Sequence, residues 1–242
     1  MNKNIGFNRN IYLPWLDATA AFCAEVEDAA DIRSRLDAVV GQSIGSTENR
    51  RKAIDILVNI WVKTREKSPE LRSEAVAFFR STTATSDRLW LHYGLCLLYY
   101  PFFRQTTAAL GQVSRNVDTV TPALVKQRLV AERGALGSLA KAVERIVFSL
   151  RDWGIVARAD KRFAYRPCVR TLTASRVGLE TWILACALHA HPSEDILFAD
   201  LVRLPELFPF RLTLSIDDLR RDRRFGVQRQ GASLEMVRLV KQ

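Results

Sequence analysis

Residues 120–165 read VTPALVKQRLVAERGALGSLAKAVERIVFSLRDWGIVARADKRFAY, and the order of elements in this stretch decides the fold class. Thr121 is a good N-cap, and Pro122 suits the first helical position, where its missing N–H leaves no bond unmade. Gly134 is placed to close the same helix in a left-handed conformation, so a short helix is expected over 122–133. A second helix follows. Its apolar residues Leu136, Leu139, Val143, Ile146, Val147, Leu150 and Trp153 recur at helical spacing, while Ser138, Lys141, Glu144, Arg145, Ser149 and Arg151 fall mostly outside that stripe. Gly154 stops it, Ile155 and Val156 start an extended run, and a polar tip from Arg158 to Arg162 precedes the returning Phe163, Ala164 and Tyr165. That last pattern is a β-hairpin. Helix, turn, helix, hairpin is the order of a winged helix-turn-helix.

Upstream, capped helices predominate. Ser46 or Thr47 can start a helix with Ala53, Ile56, Leu57, Ile60 and Trp61 on its inner side, and Ser68-Pro69-Glu70 opens another carrying Leu71, Ala75, Phe78 and Phe79. Ser86 and Asp87 begin a third, almost wholly apolar from Leu89 to Tyr100, which belongs at the centre of a bundle. Its 15 uncharged residues, Leu89 to Phe103, are too few for a membrane span of roughly 20. Pro101 restarts the chain, and a further helix runs from about Phe102 to Ser114. Downstream, Gly178–His191 and Ser193–Leu204 read as helices, the second capped by Ser193. Phe210–Leu214 reads as a short strand and Ser215 as the cap of a helix over Ile216–Arg223, while Phe225–Gln230 pairs with Leu234–Leu239 around Gly231. The expected architecture is mainly α, with a helical bundle at 1–118, the winged helix-turn-helix at 119–176 and a small α+β extension at 177–242. That extension can hold a second, degenerate winged element.

Charge points to a partner class. The 242 residues carry a net +10 and a pI of about 9.8, and of the 36 basic residues 28 are Arg. Such an excess favours a polyanion, and arginine suits bidentate phosphate and base-edge contacts, although a GC-rich genome also enriches it. The excess is localised: residues 1–110 hold 14 basic and 12 acidic side chains, residues 111–242 hold 22 and 14. Within the second half, Arg158, Lys161, Arg162, Arg166, Arg170 and Arg176 face Asp160 alone. The candidate contacts to DNA are Ser138, Lys141, Arg145 and Arg151 on the second helix and Arg158, Lys161, Arg162, Arg166 and Arg170 on and after the hairpin. The plainer reading of the same residues is a solvated helix face and a charged turn. The DNA reading requires these cations to project together from one groove-sized ridge. A second cluster, Arg220, Arg221, Arg223 and Arg224, is diluted by Asp217, Asp218 and Asp222, which can pair with it.

The chemistry of an enzyme is not visible. His189-x-His191 with Cys186 matches no common zinc spacing, and His92 reads as a hydrogen-bonded core residue. Neither a phosphate-binding glycine loop nor a nucleophile elbow occurs. Glu25, Glu27, Asp28 and Asp31 have the spacing of a solvated helix end rather than of a metal site. The four cysteines lie far apart, and no cleavable signal precedes Cys23, so a reducing cytoplasm is expected. No cofactor and no catalytic residue is expected.

The order of pieces resembles a known family. A helix like Arg50–Lys63, the Leu89–Phe103 segment, then VTPALVKQRLVAERG leading into SLAKAVERIVFSLRDWGIV and a hairpin resemble the BrxA family of the BREX bacteriophage-exclusion systems. The likeness is architectural and covers roughly residues 30–166. It implies a helical core like that of the antitermination factor NusB joined to a winged helix, DNA binding and no known catalysis. Family members usually end soon after the winged segment, so residues from about 178 onward are an addition. The expectation is therefore a non-enzymatic accessory protein of an anti-phage defence system that binds duplex DNA, with other defence-system proteins as further partners. An RNA-binding NusB-like protein and a structural adaptor are the alternatives.

Overall fold

The computed structural model describes residues 6–134, 139–230 and 234–240. The chain is mainly helical with a small antiparallel sheet near its C-terminus. Six helices come first: α1 (Leu13–Glu25), α2 (Ala29–Gly41), α3 (Thr47–Trp61), α4 (Pro69–Ser81), α5 (Thr85–Tyr99) and α6 (Pro101–Val113). Next are α7 (Pro122–Arg133), α8 (Leu139–Asp152) and the hairpin β1 (Val156–Arg158) and β2 (Tyr165–Pro167). The chain closes with α9 (Leu179–Ala190), β3 (Asp195–Leu197), α10 (Phe198–Leu201), α11 (Ile216–Arg221), β4 (Phe225–Gln230) and β5 (Leu234–Leu239).

Two helices without a wet face form the centre. In α5 every residue from Leu89 to Leu98 is buried, and in α9 the same holds from Trp182 to Leu188. Their approach depends on Gly94, where a Cβ atom would lie 2.6 Å from Trp182 Cη2 and 3.0 Å from Ile183 Cδ1. The Trp182 indole is fixed from the other side by donating Nε1–H to Leu71 O of α4 at 3.0 Å. At α6 the contact is with the 3-10 turn Pro205–Leu207, where the backbone carbonyl of Pro205 fills the space a Gly111 side chain would need. Arg104 of α6 pairs there with the buried Glu206 carboxylate at 3.2 Å, and Tyr93 donates its hydroxyl to Glu206 O at 2.6 Å. One continuous hydrophobic cluster consequently runs from Phe7 to Val237.

Several polar groups inside this core are matched, although among the described residues Trp90 Nε1 and Thr106 Oγ1 are buried without a hydrogen-bond partner. His92, fully buried, accepts from Trp61 Nε1 at Nδ1 (3.1 Å), and its Nε2 lies 3.0 Å from Asp17 Oδ1. The imidazole is therefore the neutral Nε2–H tautomer, and burial holds its pKa below the usual value against the pull of Asp17. Asp87 does not cap α5 as its position beside Ser86 implied. The helix starts at Thr85, and the Asp87 carboxylate turns inward to accept from Ser175 N (3.0 Å) and Ser175 Oγ (2.5 Å). Likewise Ser68, expected as a cap, instead has its hydroxyl 3.0 Å from His189 Nε2.

The C-terminal sheet has the order β3-β5-β4, all antiparallel, with Val227 opposite Val237 and Ile196 opposite Val237 on the far side. Pairing of β4 with β5 follows the sequence expectation. The Ser193–Leu204 helix does not form: Asp195–Leu197 is drawn out as an edge strand on β5, leaving only the single turn α10. Phe210–Leu214 is not a strand either, because only Phe210 finds a partner, in a parallel bridge to Leu172. At α11 the expected cap is present as a capping box, Ser215 and Asp218 satisfying each other's ends.

Candidate nucleic-acid interface

The interface region is built on α6. Helices α7 and α8 both pack against it, and α8 also packs on β1. Thr121 Oγ1 accepts from Leu124 N at 3.2 Å, which fixes the start of α7, and just before it Val120 forms an antiparallel bridge with Tyr165 of β2. That bridge adds a one-residue third strand to the hairpin and ties it to the start of α7. Gly134 ends α7 with φ 81° and ψ 170°, a positive-φ conformation that favours glycine but lies outside the left-handed helical well. At the end of α8, Ile155 N donates to Leu150 O (2.9 Å) and Gly154 N to Arg151 O (3.1 Å), with Gly154 at φ 74°. This paired closure needs a left-handed residue, satisfies the last carbonyls and aims the chain directly into β1.

The α8 stripe is as regular as its spacing implies: Leu139, Val143, Ile146, Val147, Leu150 and Trp153 are all buried. Ser149, expected on the wet side, is buried too. Its hydroxyl accepts from Ile11 N at 2.9 Å, while Trp153 Nε1 donates to Ile11 O at 2.9 Å and Asp152 accepts from Leu13 N at 2.8 Å. Residues 10–13 thus lie along one flank of α8. They also engage Arg145, whose Nη1 donates to Asn10 Oδ1 at 3.1 Å. At 100° per residue the next flank carries Lys141, Glu144, Phe148 and Arg151, of which Phe148 packs edge-on against Tyr12 with ring centroids 5.7 Å apart. Lys141 and Glu144 are exposed, and the Arg151 guanidinium lies 4.2 Å over the Phe148 ring. Ser138 lies outside the described residues.

In the hairpin, cross-strand partners share a face and neighbours alternate. The register Val156↔Pro167, Ala157↔Arg166, Arg158↔Tyr165 therefore sends Arg158 and Arg166 to opposite faces of the ribbon. The expected single ridge is in this respect divided, because the pleat of two paired strands does not allow both on one side. Arg166 pairs with Asp160 at 3.2 Å, but both are so exposed (60% and 99%) that water screens the pair and it holds the arginine weakly. Lys161 and Arg162 occupy the tip, and the Arg162 guanidinium sits 4.9 Å from the centroid of the Phe163 ring. Arg170 is exposed at φ 53° and donates its backbone N–H to Phe208 O at 2.7 Å. Among the described residues, Lys141, Arg158, Lys161 and Arg170 have no side-chain partner, and none of these four or Arg162 faces a carboxylate.

Arg176, the last cation of the run, is directed away from the site to the Ser81 carbonyl. Two exposed cations missed from the sequence adjoin the region. Lys126 lies on α7, inside the deciding stretch itself; Arg211 is brought beside the 170–172 segment by its N–H bond to Leu172 O at 2.8 Å, which no local pattern signals. The second arginine cluster behaves differently. Arg220 pairs with Asp217 and Glu235 (2.7 Å each), Arg221 with Asp218 (3.1 Å), and the largely buried Arg224 with Glu74 (2.7 Å) and Asp222. Three of the four arginines of that cluster are therefore ion-paired, Arg221 in a solvent-exposed contact, while Arg223 is exposed and forms no ion pair among the described residues.

Elsewhere, the cleft between α4, α9 and α11 is lined by groups that satisfy one another: Glu180 accepts from Thr213 N and Oγ1 and from Leu214 N. Among the described residues no helix is long and apolar enough to cross a membrane. No protein-family model matches the chain, and neither does any curated protein or solved structure.

Proposed function

We propose that the chain is a non-enzymatic DNA-binding protein that grips duplex through a winged helix-turn-helix made of α6, Val120, α7, α8 and the β1–β2 hairpin. In this reading α8 is the recognition helix and the hairpin is the wing. The observation that carries it is the charge left open on one helix and the hairpin after it: among the described residues Lys141, Arg158, Lys161, Arg162 and Arg170 stand exposed and form no ion pair, whereas in the second cluster Arg220, Arg221 and Arg224 are ion-paired and only Arg223 is left open. An unneutralised cluster on a helix and the hairpin that follows is what phosphate contact requires. The open face of α8 would enter the major groove, with Lys141 and Arg151 as donors and Glu144 as an acceptor for a cytosine amino group. Duplex RNA suits this geometry poorly, since its major groove is too deep and narrow for a helix. The architectural resemblance to the BrxA family supports the same role, with other proteins of an anti-phage system as partners.

A fluorescence-anisotropy competition between duplex DNA and duplex RNA of equal length tests it. The intact chain should prefer DNA. The triple change Arg158→Glu, Lys161→Glu, Arg162→Glu should weaken binding by at least about tenfold on every sequence, while Arg220→Glu with Arg221→Glu leaves it unchanged. Preference for RNA, or indifference to the hairpin changes, contradicts the reading.

A further inference from the structure

We propose that Phe163 is a base-stacking residue, and that the nucleic acid this chain selects is a duplex with an open base face, a duplex–single-strand junction. The inference rests on the DNA-binding reading and narrows its substrate. Among the described residues Phe163 is the one aromatic that is largely exposed, at 64%. It occupies the third position of the turn Lys161–Ala164, closed by Ala164 N to Lys161 O at 3.0 Å, with φ at 59°. Glycine or asparagine is the ordinary occupant of such a position. A bulky ring there contributes nothing to the core, which the hairpin reaches instead through Val156 and Ala164. Among the described residues the Arg162 guanidinium lies over it at 4.9 Å.

A phenyl ring has no donor or acceptor, so it reads neither phosphates nor base edges. It gains only by covering an apolar face. Inside a closed duplex the base faces cover each other, and a ring on a hairpin tip meets one only where the stack is interrupted. The surroundings suit a strand rather than a protein. Arg162 lies over the ring, Arg158 and Lys161 belong to the same hairpin, and the one acid of the tip, Asp160, makes a solvent-exposed pair with Arg166. A single ring among cations is also far smaller than the apolar patch that a protein interface needs. Arg162 over one face of the phenyl leaves the other face for the base, an arrangement used in sequence-tolerant binding of single strands.

The test uses the full chain with two labelled DNAs: a blunt duplex, and the same duplex carrying a short single-stranded arm with 2-aminopurine at the junction. The wild type should hold the junction about tenfold tighter than the blunt duplex, as expected for one stacked base, and should change the 2-aminopurine emission. Phe163→Ala should lose both effects and keep its affinity for blunt duplex; Phe163→Trp should retain both. The proposal is overturned if Phe163→Ala keeps the junction preference, or if the wild type binds both DNAs equally, and in either case the duplex-binding reading stands. Failure to bind either DNA overturns both.

Discussion

Replacing Gly94 by alanine adds one methyl group to a place that has no room for it. The new Cβ would meet the six-membered ring of Trp182, with Cη2 at 2.6 Å, and Ile183 Cδ1 at 3.0 Å. Neither neighbour can step aside freely: Trp182 and Ile183 are fully buried, and moving the indole breaks its bond to Leu71 O. Overpacking of this kind costs about 1–3 kcal/mol, and a broken buried hydrogen bond adds roughly 1 more. A total of about 3 kcal/mol corresponds, for a chain of this length, to a fall in Tm of roughly 6–12 °C. Gly45→Ala is the control, since nothing lies within 4 Å of its Cβ position. Thermal unfolding followed by circular dichroism decides it. A Gly94→Ala protein that melts with the wild type, or loses no more than Gly45→Ala, refutes the shared core of α5 and α9.

Other predictions follow from single groups. Because burial depresses the His92 pKa below its unfolded value of 6.5, the unfolded chain binds more protons just below that pH, and stability should fall as pH drops through 6.5. Urea unfolding of wild type and His92→Gln between pH 5 and 8 should show their difference changing in that window; a constant difference contradicts the neutral, Trp61-bonded imidazole. Gly154→Ala forces a side chain to adopt φ 74° in open space, so it should lose about 1 kcal/mol by backbone strain alone. An unchanged urea midpoint argues against the helix closure described. Lys141→Ala should change the preferred DNA sequence more than Lys161→Ala, which should weaken all sequences alike; binding-site selection on both variants distinguishes them.

Much of the interface was legible because local rules agree with the fold there. Thr121 and Pro122 start α7, Gly154 closes α8, and the apolar stripe of α8 is buried from Leu139 to Trp153, Leu136 lying outside the described residues. These signals span a few residues and need no distant partner. What escaped the sequence depends on contacts far along the chain. Arg145 is engaged by Asn10, 135 positions away, and the flank that residues 10–13 cover carries no periodic mark. The role of α6 beneath α7 and α8 was also hidden, since its apolar side serves the bundle and the interface equally. Asp195–Leu197 has the capping chemistry of a helix start, yet pairing with Met236–Arg238 outweighs that weak preference. The opposite facing of Arg158 and Arg166 follows from register, which a tip of uncertain length leaves open until the pairing is known. The free and the paired arginines likewise differ only in which carboxylates the fold brings near them.

The most direct measurement is the dependence of duplex-DNA affinity on salt. If the four open cations Arg158, Lys161, Arg162 and Arg170 each meet a phosphate, log K should fall against log salt with a slope of about −3.6, a loss of roughly 150-fold between 50 and 200 mM. Reversing Arg158, Lys161 and Arg162 should flatten that slope by about 3. A slope near zero, or one that the three reversals leave unchanged, would contradict the claim that this open charge is a DNA-binding surface.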